Sequence, residues 1–239
     1  MIYLPPSINF NPIKMAFSTW VDHMPFGYDL VTAMRPKKLV ELGTHNGMSF
    51  FVFCQAMAEQ NIDGSCYAVD TWEGDDHTGD YGEDVYNAVS SHCRENFRGC
   101  HYLLRMRFDE AVEKFDNNSL DIVHIDGLHT YDAVKEDFET WYEKVTPGGI
   151  VLFHDVEARI KDFGAWKYWQ ELEKEHTTFK FNHGFGLGVL RKPGGDRDND
   201  PDLFKLLFES DQKTQQDLRQ FYVYIGLHSE MKRKLNAKK

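Results

Sequence analysis

A chain of 239 residues, 41% hydrophobic and 14% aromatic, is long enough to bury a full core and suits one large domain with appendages better than two equal domains. Its formal charge of -11 argues against a nucleic-acid partner, because phosphate contacts need clustered Lys and Arg. No stretch approaches the roughly 18 apolar residues of a membrane span, and MIYLPPSINFNP at the start lacks the basic and apolar regions of an export signal.

The elements follow in order. Residues 1–24 carry Pro5, Pro6 and Pro12 with scattered aromatics and read as an irregular arm. A helical pattern over 26–34 stops at Pro36. Next comes KLVELGTHNG, where Leu39 and Val40 form a short strand ending in Glu41, Gly43 and Gly47 make a turn, and Ser49, Phe51, Cys54 and Ala58 open a helix. Strand, glycine turn and helix make the first βα unit of a doubly wound sheet, where small residues let the backbone approach a ligand and helix amides face it. The cofactor is expected here. His45 occupies the place of the middle glycine of a dinucleotide fingerprint, so a pyrophosphate is disfavoured.

Residues 65–70, SCYAVD, read as the second strand. Asp70 at its end is placed to accept the hydroxyls of a ribose, and Thr71 and Trp72 to flank an adenine, with Trp72 either a stacking plane or a packed core residue. The stretch TWEGDDHTGDYGED is too long for an ordinary βα turn. Its acids, Asp75, Asp76, Asp80, Glu83 and Asp84, make either a solvated loop or a lid over the acceptor. Tyr86, Val89, Cys93 and Phe97 mark a helix, 102–105 a third strand, and 109–115 a short helix, where Asp109 is either its N-cap or close to an adenine edge.

The run LDIVHID, 120–126, is almost continuously apolar, as a strand buried on both faces is; His124 within it reads as a core residue. Val134, Phe138, Trp141 and Val145 define the next helix, broken at Pro147-Gly148-Gly149 before a strand over 150–155. Phe163, Trp166, Trp169 and Leu172 mark another helix, and 177–182 and 185–191 a hairpin joined at His183-Gly184. GGDRDNDPD, 194–202, reads as a linker, and Leu203, Leu207, Leu218, Phe221, Tyr224 and Leu227 as one or two amphipathic helices packed on the domain or on a second subunit. Lys232, Arg233, Lys234, Lys238 and Lys239 read as a solvated tail. Cys54, Cys66, Cys93 and Cys100 form no C-x-x-C pair and read as reduced thiols of a cytoplasmic protein.

The expected fold is a doubly wound α/β protein with a mostly parallel seven-stranded sheet, an antiparallel edge strand and a C-terminal helical extension. Its parts are an arm (1–24), a ligand-binding domain (25–193), a linker (194–202) and the extension (203–239). In such sheets ligands bind outside the carboxyl ends of the strands, which selects 41–47, 70–72, 126–129 and 154–155.

ELGTHNG, VDTWEGDDHTG, IDGLHTYDAV, FHD and GFGLGVL, in this order between about residues 26 and 190, together resemble a family of bacterial class I S-adenosylmethionine-dependent methyltransferases. These occur beside, or fused to, glycosyltransferases in surface-polysaccharide gene clusters. The chain is more distantly similar to macrocin O-methyltransferase and cephalosporin-hydroxylase-like proteins. The resemblance implies that Glu41, Gly43, Gly47 and Asp70 lie on cofactor positions, and Asp126, His129 and Asp155 on the catalytic face. Thr44, Ser49, Thr71, Trp72, Asp109 and Asp126 complete the expected cofactor site.

Methyl transfer from a sulfonium is an in-line displacement, in which the protein chiefly aligns the partners and excludes water. A sugar hydroxyl must also lose its proton. His129 is the first choice of base; His154, whose side chain would alternate away from Asp155 in regular strand geometry, is the second, and His77 would meet the acceptor from the long loop. The other route is Mg²⁺ or another divalent cation on Asp126 and Asp155, at the ends of strands about 5 Å apart, although macrolide-modifying relatives often carry a second acid where this chain has His154. The expected activity is O-methylation of a sugar hydroxyl of a surface glycan or glycoconjugate precursor. The alternatives are a metal-dependent O-methyltransferase of macrolide- or catechol-like small molecules and a non-catalytic cofactor-binding module that docks a glycosyltransferase through its C-terminal helices.

Overall fold

The computed structural model describes residues 4–75 and 77–236, with side chains as far as residue 228. Asp76, Lys238 and Lys239 lie outside the described residues, as do the side chains of Lys232, Arg233 and Lys234.

Seven strands form the main sheet. At its centre β1 (Lys38–Leu42) runs parallel to β2 (Ser65–Asp70) on one side and to β6 (Leu120–Ile125) on the other. Outside β2 lies β5 (His101–Arg105), and beside β6 lies β7 (Val145–His154), both parallel. The sheet closes with β9 (Leu187–Arg191), antiparallel to β7, and then β8 (Thr177–Phe181), antiparallel to β9. The expected antiparallel pairing thus falls at one edge, with the reversed strand one position in from the rim. A separate two-stranded ribbon, β3 (Gly74–Asp75) and β4 (Gly79–Asp80), shapes the long acidic loop.

Each face of the sheet carries its own core because alternate strand residues point to opposite sides. Leu39, Cys66, Ala68, Ile122 and Leu152 pack under α1 (Met24–Met34), α2 (Met48–Glu59) and α3 (Glu83–Asn96). Val40, Leu42, Val69, Val123 and Phe153 pack under α4 (Phe108–Ala111), α5 (Tyr131–Trp141) and α6 (Ala165–Glu175). Central strands buried on both sides are apolar almost throughout, which is why they are legible as runs. The register aligns Leu42 with Val69 and Ile125, and Ile125 with Phe153. The carboxyl ends of β1, β2, β6 and β7 are therefore level.

Two expectations are corrected. Pro147-Gly148-Gly149 does not separate helix from strand: β7 already begins at Val145, and a register shift opposite Leu120/Ile122 absorbs the irregular residues. Residues 194–202 are not a free tether. Arg191 and Asp200 form a buried two-pronged ion pair, with Nη2 donating to Oδ1 at 2.6 Å, that fastens this stretch to β9.

Beyond it, α7 (Asp202–Phe208) and the first half of α8 (Gln212–Asn236) bury Leu203, Phe204, Leu207, Leu218 and Tyr222. Tyr222 packs on Phe26 and Phe181, and its hydroxyl donates to Asp29 at 2.8 Å. The arm reaches the same carboxylate through Ser7, whose backbone N–H and Oγ donate at 2.7 and 2.6 Å. No helix among the described residues is long and apolar enough to cross a membrane.

Candidate active site

The turn after β1 sits directly on the end of β6. Gly43 has φ +88°, and a Cβ there would strike the Asp126 carbonyl; only glycine serves at such a position. Thr44 is buried, and its Oγ1 has no hydrogen-bond partner among the described residues. Asp70 locks the neighbouring turns together: Oδ2 accepts from the His45 N–H at 2.8 Å, Oδ1 from the Trp72 N–H at 2.7 Å, and the Tyr81 hydroxyl stands 3.3 Å away.

Two cavities, of about 370 and about 340 Å³, open along this edge and share Gly43, His45, Thr78 and Asp126. The first is acidic. Asp70, Asp75, Asp109, Asp126, Glu136 and Asp137 line it, and among the described residues the only Lys or Arg there is Arg107, which is bound to Asp109 at 2.9 and 3.0 Å. The second holds Thr44, Ser49, His77, His129, Asp155 and Phe163, with exposed Phe17, Ile160 and Phe185 at its mouth.

The expected site residues divide between these spaces. Gly43, Asp70, Thr71, Asp109 and Asp126 line the first; Gly43, Thr44, Gly47, Ser49, Asp126, His129 and Asp155 line the second. Asp109 does not cap α4, whose N-cap is Arg107. Three residues, Glu41, Trp72 and His154, line neither cavity. Glu41 is fully buried beneath the turn, accepting from Ser49 Oγ and 3.0 Å from His124 Nδ1; burial raises its pKa against the pull of His124. Trp72 is no stacking plane: with φ +53° its side chain turns inward, the ring is fully buried against Tyr86, and Nε1 donates to the His45 carbonyl at 3.1 Å.

His154 is also corrected. β7 ends there, and Asp155 adopts φ +61°, so the two side chains converge instead of alternating. His154 Nδ1 lies 3.2 Å from both Asp126 Oδ1 and Asp155 Oδ2, and Nε2 lies 3.1 Å from the Gly184 carbonyl. Both ring nitrogens face acceptors, so the ring carries two protons. Burial works against that charge, but the two carboxylates outweigh it and hold the pKa well above the usual value. A ring with no free lone pair is not a base.

His129 is differently placed. Its Nε2 stands 3.3 Å from Asp155 Oδ2, and its ring lies against Phe163 and parallel to His77, at 4.6 and 5.6 Å between centroids. The Gly164 N–H donates to its carbonyl at 2.7 Å and pins the backbone. His77 is held by Asp162 at 2.9 Å and stacks on Phe163. Asp162 and Tyr81 carry no periodic or motif signal, while Phe163 stands out only as part of a helical stripe and Gly184 only as the turn residue that opens GFGLGVL, which singles neither out for the site. Asp126, His154 and Asp155 also bring three donor atoms within 4.8 Å of one another, a set able to hold a cation.

The strand order and the glycine turn after β1 are those of a Rossmann-like methyltransferase fold. Residues 40–156, just under half of the chain, match a family model described as a methyltransferase domain. Over 173 residues, 72% of this chain, the sequence is 47% identical to the uncharacterized protein y4gI of Sinorhizobium fredii, and it spans 19% of that protein. Over 126 residues it is 29% identical to an uncharacterized protein of Acanthamoeba polyphaga mimivirus, covering 49% of this chain and 51% of that one. The chain thus spans about a fifth and about half of these two relatives. Among solved structures it is similar in fold to the O-methyltransferase TomG of Streptomyces achromogenes, involved in tomaymycin synthesis and solved with S-adenosylmethionine, at 15% identity and TM-score 0.55 over 75% of this chain and 82% of that one.

Proposed function

We propose that this protein is an S-adenosylmethionine-dependent O-methyltransferase acting on a sugar hydroxyl of a glycan or glycoconjugate precursor, with cofactor in the first cavity and acceptor in the second. The carrying observation is that the two cavities meet at Asp126 while His129, braced by Asp155, faces the acceptor side. The first cavity fits this cofactor: its surplus of acidic side chains suits a ligand with a sulfonium and an ammonium, and the glycine turn at Gly43 brings backbone to its edge. When bound, S-adenosylmethionine supplies an electrophilic methyl group.

The chain's residues do the rest. Asp70 holds the turns after β1 and β2 in one geometry and offers its carboxylate to a ribose. His129 points Nε2 at Asp155, which leaves the Nδ1 lone pair to take the acceptor's hydroxyl proton; Asp155 then stabilises the imidazolium. Asp126, at the junction, orients the acceptor oxygen. Polar groups of Thr44, Ser49 and His77 beside the flat faces of Phe163 and Phe185 suit a hydroxylated ring with C–H faces. The family resemblance supports the sugar, a glycosyltransferase as companion, a cytoplasmic setting and 25–193 as the catalytic unit.

The cluster of Asp126, His154 and Asp155 favours a second reading, in which a divalent cation lowers the hydroxyl pKa and displaces the Nδ1 proton of His154. An imidazole donor moves the preference from Mg²⁺ towards transition ions.

Calorimetric titration of chelator-treated protein with S-adenosylhomocysteine tests the cofactor: micromolar binding is expected, falling about tenfold or more in Asp70→Asn, whose amide cannot accept at both oxygens. Absence of heat and of any thermal shift would overturn the assignment. Methyl transfer that survives chelator supports His129 alone; transfer abolished by chelator and restored by Mn²⁺ or Mg²⁺ supports the cation.

A further inference from the structure

The first cavity has a floor that none of the roles above uses. On α5, one turn apart, Asp137 and Trp141 both line it. The Asp137 carboxyl has no hydrogen-bond or ionic partner among the described residues. Gly127 opposes it without a side chain, since a Cβ there would stand 3.6 Å from Asp137 Oδ2 and 2.6 Å from the Phe108 ring. Trp141 is fully buried and its indole N–H has no acceptor among the described residues. A carboxyl without a partner on this wall, facing a glycine, marks a surface suited to a polar ligand edge.

The ligand's orientation follows from the proposed function, on which this inference rests. The methyl group must sit where the cavities meet, at Asp126, and the ribose beside Asp70. The base is left to the end that belongs to the first cavity alone, where Phe108, Asp109, Asp137 and Trp141 stand. We propose that Asp137, as a neutral carboxyl, reads the adenine edge, donating its O–H to a ring nitrogen and accepting from the adjacent exocyclic amine. An adenine presents acceptor and donor side by side, and a neutral carboxyl presents their complement; a carboxylate would set a second acceptor against the ring nitrogen.

The surroundings favour the neutral form. Burial, aided by Glu136, pushes the Asp137 carboxyl up to about 7. Of the other charged groups lining this space, Arg107 is committed to Asp109, while Asp70, Asp75 and Asp126 add only negative charge. His45 is itself pushed towards its neutral form, chiefly by burial, and burial pushes the Tyr81 hydroxyl up, which keeps it neutral as well. Asp109, ionised by its Arg107 pair, accepts only; Asp137 supplies the donor that Asp109 lacks.

The test is calorimetry with S-adenosylhomocysteine from pH 6 to 8.5, in buffers of different ionisation enthalpy. Wild type is expected to bind roughly tenfold more weakly at the upper pH and to take up a proton on binding at pH 8. Asp137→Asn, whose amide also donates and accepts, is expected to bind within a few-fold of wild type at pH 6, with little pH dependence and no proton uptake. Asp137→Leu, checked for unchanged melting and circular dichroism, is expected to bind at least tenfold more weakly at pH 6. Wild-type affinity in the Leu variant, or wild-type binding without proton uptake, would overturn the assignment of Asp137. A wild-type protein that binds no S-adenosylhomocysteine would instead overturn the reading of the cavity itself.

Discussion

Asp155 organises the acceptor side of the site. Its left-handed backbone turns one carboxylate towards two histidines, 3.2 Å from His154 Nδ1 and 3.3 Å from His129 Nε2. His154 is wedged between two carboxylates and a carbonyl, which hold its protons; His129 has a single acid behind it. His129→Gln is accordingly expected to lower kcat by about 10²–10⁴ while leaving S-adenosylhomocysteine affinity within about twofold of wild type. An equal loss of affinity would show that His129 shapes the cofactor site instead. The acids were legible at residue scale because they close apolar runs. What escaped is the sign of φ: nothing in the letters HD or TW tells that Asp155 and Trp72 leave the strand with positive φ, yet that sign brings Asp155 into the histidine cluster and sends Trp72 into the core.

The elements were legible where their periodicity was strong. Strands β1, β2 and β6 stand close to their expected positions because double-sided burial leaves little room for polar residues. The stretch after β9 was misread for the opposite reason: GGDRDNDPD has linker composition, and a single long-range pair decides its structure. Arg191 and Asp200 are both buried, and removing one partner strands the other's charge. Asp200→Ala is therefore expected to destabilise the protein by about 3–5 kcal/mol, read as a lower urea midpoint with unchanged m-value. A double variant, Arg191→Met with Asp200→Leu, should recover much of that loss, since matched apolar replacements leave no bare charge.

On the scale of the whole molecule, Asp29 ties three distant segments together: the arm through Ser7, α1 on which it sits, and α8 through Tyr222. Burial, opposed by these donors, raises its pKa from 3.8 to about 6. Between those values the folded protein holds a proton that the unfolded chain has released, so this group's contribution to stability falls as pH rises through the window, by about 3 kcal/mol in all. Asp29→Asn is expected to gain on wild type by up to that amount between pH 4 and pH 7 in urea unfolding; a difference that stays flat with pH would show that the carboxyl is not protonated in the fold. Such a knot between segments nearly 200 positions apart leaves no local trace in the sequence. Another long-range feature bears on how the protein can diverge. Because β9 runs against the parallel strands, the turn 182–186 reaches the same rim as the loops after them, yet it joins neighbouring strands and carries no crossover helix. Its Gly184 carbonyl is held by His154, while Phe185 stands 42% exposed at the mouth of the second cavity. Descendants of this chain can lengthen, shorten or redecorate that turn without re-threading the sheet, so the repertoire of acceptors is free to drift while the transfer chemistry stays put.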